Sequence, residues 1–476
     1  MLFNSIEFAI FLPVVFGLYW AVPGHLFRLR NSILLAASYF FYGYWDWRFL
    51  SLIFVSSLVD YAVGIGLTQT QLGGRRRLLL LASLIVNLGL LGVFKYYNFF
   101  IDNLVDTVTF LGVHLEPSRL ELILPVGISF YTFQTMSYSI DVYRRSLKPT
   151  RDVLAFFTYV SFFPQLVAGP IERASNLLPQ FSARRRFDYE RAVDGLRQIL
   201  WGLFKKVVIA DNCAGVVDAT FADSGAHGGS TLLLGAVLFA FQIYGDFSGY
   251  SDIAIGTARL FDFNLMKNFA FPYFSRDIAE FWRRWHMSLT TWFRDYLYIP
   301  LGGSRGSRSQ TIRNTFIVFL VSGFWHGANW TFIAWAVLHT LFFLPLLITN
   351  RNRRHLDAIA SRFPGPVEVL LILRTFLLVT LAWVFFRAES VGDAFAYFQG
   401  IASPSLLSKP DLPSKFLLLE IALMVAIEWL GRHGEHGLAP KEARFPRPLR
   451  WGGYLGLASL VLFGGGGTED FIYFQF

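Results

Sequence analysis

The chain has 476 residues, of which 54% are hydrophobic, 18% aromatic and only 16% charged. An ordinary soluble domain carries roughly 25% charged residues, so the composition excludes a soluble globular protein and points to a membrane one. The net charge of +9 needs no nucleic acid to explain it. Its basic residues cluster between apolar runs, at Arg28 and Arg30, at Arg75 to Arg77, at Arg184 to Arg186, at 351–354 and in the tail 432–450. Such short basic loops act as topology signals and anchors on anionic membrane lipids.

In chain order, residues 1–20, MLFNSIEFAIFLPVVFGLYW, have no basic leader and no small-residue cleavage site, and carry Glu7. They are expected to form a retained first membrane segment, not a signal peptide. The apolar runs 8–24, 78–94, 230–244, 369–386 (interrupted by Arg374) and 451–467 reach or approach the length of a spanning helix, which is roughly 17 to 25 residues. Residues 314–350 contain no Asp, Glu, Lys or Arg. At about 1.5 Å per residue that span exceeds a hydrocarbon core of roughly 30 Å, so it must be two segments or one broken segment. Similar runs counted along the chain predict an all-α polytopic membrane protein with about ten to twelve membrane helices. No internal repeat or long polar stretch divides it, so a single domain over 1–476 is expected. Any chemistry must then be done by residues in or at the bilayer.

Polar and ionisable side chains inside membrane segments are rare and usually functional, which singles out three places. In LILPVGISFYTFQTMSYSIDVYRR (122–145), Gln134, Ser137, Tyr138 and Asp141 fall at helical spacings of three and four and make one polar face. In FQIYGDFSGYSDIAIG (241–256), Asp246, Ser248, Tyr250, Ser251 and Asp252 interrupt a buried segment between glycines. Non-helical backbone at that depth is tolerated where it is packed in protein or lines a wet cavity. Both sets could instead hold helices together by interhelical hydrogen bonds.

The third place joins FWRRWHMSLTTWFRDYLYIPLGG (281–303) to SGFWHGANW (322–330). Read as one helix, the first stretch puts Trp282, Trp285, Leu289 and Trp292 on a single face with His286 at its edge, and the arginines to the sides. An amphipathic helix along the membrane interface is the plain alternative. His326 lies thirteen residues after Arg313, about 20 Å along a continuous helix and so well inside the bilayer. Gly323 and Gly327 leave room there for a close approach, and Asn329 and Trp330 add a polar handle and an aromatic wall. His339 has only Thr340 as a polar neighbour and reads as structural, and the other histidines fall in loops.

The single Cys213 excludes an intramolecular disulfide and a multi-cysteine zinc site, and it reads as a small core residue. GDFSGYS is not a Gly-x-Ser-x-Gly nucleophile elbow. Two histidines forty residues apart with no patterned carboxylate make a poor metal site, so no metal and no resident cofactor are expected. General base catalysis remains: one imidazole takes the proton of an attacking hydroxyl, while the other orients a group or stabilises the oxyanion.

The motifs 281–303 and WHGANWTFIAW closely resemble the membrane-bound O-acyltransferase (MBOAT) family, and within it the bacterial alginate O-acetyltransferase type. The similarity extends to MLFNSIEF, LPVGISFYTFQTMSYSIDVYR, FFPQLVAGPIER, FQIYGDFSGYSDIAIG and the terminal FIYFQF. The resemblance implies membrane helices with re-entrant or interfacial helices around a central tunnel. It implies His326 as the catalytic histidine and His286 as the second family histidine, with Trp285, Trp325 and Asn329 beside the pocket; Ser248 and Tyr250 are added as substrate-binding candidates. An acyl thioester, acetyl-CoA by this resemblance, would donate from the cytoplasm, and the acetyl group would reach an exported polysaccharide directly or through a periplasmic esterase-like partner. Alginate, cellulose, peptidoglycan and other exopolysaccharides fit equally, and the bacterial inner membrane is the implied location.

The rival readings are a transporter or channel and a non-catalytic scaffold of a polysaccharide-export complex. A transporter predicts matching broken helices in two halves and charged residues recurring along several helices as a relay. Neither is visible in the sequence.

Overall fold

The computed structural model describes residues 1–115, 117–167, 169–357, 359, 363–411, 414–439, 446–465, 467 and 471–472. Ala168 of FFPQLVAGPIER, the tail residues 440–445 and the final 473–476 of FIYFQF lie outside the described residues. All regular structure among the described residues is helical.

The first helices are α1 (Ile6–Ala21), α2 (Phe27–Asp46), α3 (Leu50–Gln69), α4 (Gly73–Leu91), α5 (Tyr97–Phe110), α6 (Ile128–Tyr143), α7 (Val153–Ser161), and the short α8 (Phe163–Leu166) and α9 (Ala174–Leu177). Next come α10 (Tyr189–Leu203), α11 (Asp211–Ala222), α12 (Gly229–Leu260), α13 (Ile278–Arg284) and α14 (Met287–Phe293). The last are α15 (Arg308–His326), α16 (Trp330–Ile348), α17 (Pro366–Arg387), α18 (Val391–Ile401), α19 (Lys415–Gly431) and α20 (Arg447–Phe463). Five helical runs, Phe27–Gln69, Gly73–Phe110, Gly229–Leu260, Trp330–Ile348 and Pro366–Arg387, are long and apolar enough to cross a membrane. The uncharged span 314–350 is two helices, α15 and α16, parted at residues 327–329.

The chain forms two compact units, one of Met1–Ala192 with Thr257–Met266 and one of Val193–Gly256 with Lys267–Phe476. In the first unit α6 packs on α3 and α4, and its residues 128–139 are all buried rather than apolar on one side and polar on the other. Gln134 donates to the Tyr159 carbonyl at 2.9 Å and Ser137 to the Gln134 carbonyl at 2.7 Å. Those two therefore serve helix packing. At the centre of α3, α4 and α6 the fully buried Asp60 accepts from the Ser83 and Ser139 hydroxyls and from Asn87 Nδ2 at 2.7 Å.

Two of the basic clusters are not in loops. Arg28 and Arg30 lie in the first turn of α2, and Arg75 to Arg77 in that of α4. Arg30 is buried, donating to the carbonyls of Val22 and Arg185, with its guanidinium 4.8 Å from the rings of Tyr19 and Trp20. Terminal carbonyls that lack helical partners make such a donor useful inside the fold.

In the second unit α12 is one unbroken helix of 32 residues, which corrects the expected interruption at 241–256. Its glycines serve close helix approach. A Cβ on Gly249 would sit 2.8 Å from the Gly202 carbonyl, and one on Gly256 would sit 2.5 Å from that of Gly195. These two contacts, spaced seven residues apart along each helix, let α10 and α12 run backbone against backbone, as small residues do between membrane helices. Cys213 is fully buried, and burial pushes its thiol up, away from the reactive thiolate.

Candidate active site

The stretch 281–303 is not one helix. α13 starts on Asp277, which accepts the Glu280 N–H at 2.7 Å, and it stops where Trp285 turns extended (φ −100°, ψ 130°) and His286 turns left-handed (φ 44°, ψ 52°). A non-glycine residue in that region is strained, costing of order 1–3 kcal/mol, and such strain gathers at functional sites. The segment 268–270 holds the break open from the side: Ala270 N–H donates to the Arg284 carbonyl and Met287 N–H to the Asn268 carbonyl, both at 2.9 Å. The interfacial-helix alternative fails here, because Trp282, Trp285, His286 and Trp292 are all buried.

The crowd of charge in this stretch is answered internally. Buried Glu280 takes Arg276 at 3.0 Å and Arg284 at 2.8 Å. Arg283 donates to the carbonyls of Asn352 and His355. A buried carboxylate is tolerable when its lone pairs meet well-aligned guanidinium donors.

His286 is fully buried, and its Nδ1 lies 3.1 Å from Asn268 Oδ1. That oxygen also accepts from the Ser288 hydroxyl at 2.9 Å and from the Ser288 backbone N–H, while Asn268 Nδ2 donates to Ser251 Oγ at 3.1 Å. The amide is thus oriented with oxygen toward His286, so the His286 proton sits on Nδ1 and Nε2 carries the lone pair. Burial pushes the imidazole down to about 3, which keeps it neutral at physiological pH.

His326 is the last residue of α15, 2% exposed. Its ring centroid is 6.3 Å from that of His286, and Trp325 lies 5.0 Å from the one and 5.9 Å from the other. Trp335 at 5.3 Å and Phe386 at 5.4 Å complete the surround of His326. The room expected at Gly323 and Gly327 is taken up by α16: a Cβ on either would strike Phe332, its carbonyl oxygen at 2.4 Å and its ring at 2.0 Å. These glycines tighten the α15–α16 hairpin instead of admitting a ligand.

The structure brings His286, His326 and Trp325 together, with Trp285 one ring further out, 5.0 Å from both Phe269 and Trp383. Asn329 is turned to a helix end, where its Oδ1 caps Thr331 N–H at 3.0 Å and its Nδ2 donates to the Glu389 carbonyl at 2.9 Å. Trp330 is 57% exposed and makes no wall. Ser248 accepts from Lys205 Nζ at 2.7 Å and donates to the Tyr244 carbonyl, and Tyr250 packs on Phe471 at 4.4 Å.

Several groups escaped the sequence reading. Asn268, which orients His286, sits in an irregular loop where no periodicity marks it. Charged residues do recur on several helices: Lys205 pairs with Asp252 at 2.6 Å, and Lys206 with Asp211 and Asp246, each at 2.8 Å. Their signal was present as two adjacent lysines in the apolar run LWGLFKKVVIAD. Tyr244 donates to Glu428 at 2.8 Å. His436, assigned to a loop without further role, is buried and 3.1 Å from Asp194. Asp246 also receives the Ile472 N–H at 2.6 Å, which anchors residues 471–472 beside Phe247, itself 4.7 Å from the His286 ring.

Two buried imidazoles with rings this close in an aromatic surround, one of them fixed in a single tautomer, leave the other able to receive a proton from a hydroxyl in a dry site. No group of three His, Cys, Asp or Glu side chains among the described residues could hold a metal ion.

Residues 144–385 match the model of the membrane-bound O-acyltransferase family. The chain is 42% identical over 430 residues to a probable alginate O-acetylase of Azotobacter vinelandii, covering 89% of this chain and 83% of the relative. It is 38% identical over 433 residues to a peptidoglycan O-acetyltransferase of Helicobacter pylori, covering 84% and 80%. A teichoic acid D-alanyltransferase of Streptococcus thermophilus is 29% identical over 260 residues, covering 51% and 62%.

Proposed function

The chain belongs to the membrane-bound O-acyltransferase family and is a multi-pass membrane O-acyltransferase, and on that footing we propose that it carries an acetyl group from a thioester, acetyl-CoA, to an exported polysaccharide, directly or through a periplasmic esterase-like protein. The bacterial inner membrane is the matching location, and ten to twelve membrane helices are part of the proposal, supported by the five long apolar runs and the shorter apolar Ile6–Ala21. The relatives named for alginate and peptidoglycan acetylation support the polymer class. One membrane domain acting as a unit, with no metal or resident cofactor, is part of the same proposal.

The observation that carries the chemistry is the buried pair of imidazoles 6.3 Å apart, with His286 held in one tautomer by Asn268. His326 is the base in this reading. It removes the proton as the acceptor hydroxyl attacks the thioester carbonyl; the tetrahedral intermediate then expels the thiolate, which takes the proton and leaves as thiol. His286, held in one tautomer by Asn268, lines the site beside His326 and orients the reacting groups. In its neutral form it has no N–H at Nε2 to offer an oxyanion, so orientation is its role. Trp285 and Trp325 wall the site. Asn329, Ser248 and Tyr250 contribute through the hairpin and through α12.

The test supplies purified enzyme in lipid with acetyl-CoA labelled in the acetyl group, a polysaccharide acceptor and, in a parallel arm, a periplasmic esterase-like protein from the same cell. Label should pass to polymer or to that protein. Label that stays on CoA in every arm, or a D-alanyl thioester used in preference, would contradict the reading.

A further inference from the structure

His339 reads as structural in sequence, with only Thr340 polar beside it, and the structure gives it an unusual position. It lies in α16, fully buried, one turn after Trp335. Its Nδ1 accepts the Trp282 indole N–H at 3.3 Å. An imidazole that accepts at Nδ1 carries its proton on Nε2, and that buried Nε2–H meets no acceptor among the described residues. Its surroundings are aromatic carbon: Trp335 at 4.8 Å, Phe281 at 6.3 Å, Phe319 at 6.4 Å and Phe342 at 6.2 Å between ring centroids. The indole N–H of Trp335, also fully buried, is without an acceptor too. Leaving a buried donor unsatisfied costs about 1–3 kcal/mol, and two such donors stand together on one helix face, one ring away from His326.

We propose that His339 Nε2–H and Trp335 Nε1–H are substrate contacts that donate to carbonyl oxygen of the acyl donor. The inference rests on the acyl-transfer reading and adds a donor subsite to it. Trp335 stands between the two histidines, 4.8 Å from His339 and 5.3 Å from His326, so a carbonyl held there belongs to a thioester whose reactive carbon is at His326. The oxygen is either that of the thioester or that of an amide in the donor's arm, and the two share one chemistry. Trp282 acts through His339, as a positioning residue that fixes its tautomer.

The experiment uses the full-length enzyme in lipid and compares wild type, His339→Phe, His339→Gln and Trp335→Phe with two donors, acetyl-CoA and S-ethyl thioacetate, the second having no arm amides. His339→Phe is expected to raise KM for acetyl-CoA about tenfold, the effect of losing one well-made hydrogen bond, with the acceptor KM unchanged. His339→Gln should recover most of this, because its amide can accept from Trp282 and still donate. Trp335→Phe removes only the indole N–H from an otherwise aromatic site and gives the same readout if His339→Phe does not fold. A rise that persists with S-ethyl thioacetate assigns the thioester carbonyl, and one that disappears assigns the arm. Donor KM within twofold of wild type in the Phe variants overturns the inference and leaves the two N–H groups to trapped water or ring faces. Wild-type enzyme that transfers acetyl from neither donor would instead overturn the acyl-transfer reading itself, and this subsite with it.

Discussion

Asp60 and the His286–His326 pair are both polar centres buried among helices, but they are made differently. Asp60 is surrounded by donors from its own unit: two serine hydroxyls and an asparagine amide take up both carboxyl oxygens. His286 has one nitrogen fixed by Asn268 and presents the lone pair of the other within a wall of aromatic rings, and its backbone is left-handed. A buried group whose bonding capacity is used up by neighbours holds helices in register. A buried group kept in one tautomer and a strained conformation has the kind of strain that gathers at functional sites. By that contrast Gln134 and Ser137 on the polar face of α6, which looked as promising in sequence as the histidines, belong to the packing of the first unit.

The contrast can be broken most forcefully at His326. His326→Ala should reduce turnover by about a thousandfold, within the range expected for loss of a general base, while thermal unfolding and membrane insertion stay as in wild type. His286→Gln keeps a donor for Asn268, so a loss of about a hundredfold is expected if orientation is its role. Equal and total loss in a purified assay would put both histidines in one catalytic unit. Asn268→Ala releases the His286 tautomer and should cost about tenfold in kcat with little change in KM, comparable to removal of other orienting partners.

On the structural side, Asp60→Ala strands three buried donors and is expected to lower stability by about 2–4 kcal/mol, with kcat unchanged below the new melting temperature. The smallest effect is one of pH. Glu172, in the loop between α8 and α9, is pushed up by burial from 4.5 to about 7, against the opposing bonds from Asn176 and Met266 N–H. Its folded carboxyl binds a proton more tightly than the unfolded one, so its contribution is full below about 4.5 and is lost as pH rises through about 7. Melting temperature measured from pH 5 to pH 8 should therefore fall on the alkaline side, and a Glu172→Gln variant should flatten that fall.

Much of the helical architecture was legible because apolar length alone marks a membrane span, as at 369–386 and 314–350. The two histidines were legible as ionisable groups in apolar runs. The break at Trp285 and His286 was not, because the tryptophans continue a helical period straight through it. What stops the helix is hydrogen bonding from residues 268–270, a contact no local pattern encodes. Asn268 was hidden for the same reason, and the glycines of WHGAN misled because close helix packing and an open pocket call for the same residue. The paired lysines were visible as residues with Asp211 in the same run, but their other partners Asp246 and Asp252 lie on α12, beyond α11.

The central claim is that the histidine pair does chemistry while the equally buried Asp60 centre holds structure. It is tested most directly by following labelled acetyl from acetyl-CoA into product with wild type, His326→Ala and Asp60→Ala, each in lipid and each below its own melting temperature. The account predicts that transfer is lost in His326→Ala alone and that the folded Asp60→Ala enzyme works at the wild-type rate. Transfer at the normal rate by His326→Ala, or its loss in a fully folded Asp60→Ala, would contradict it.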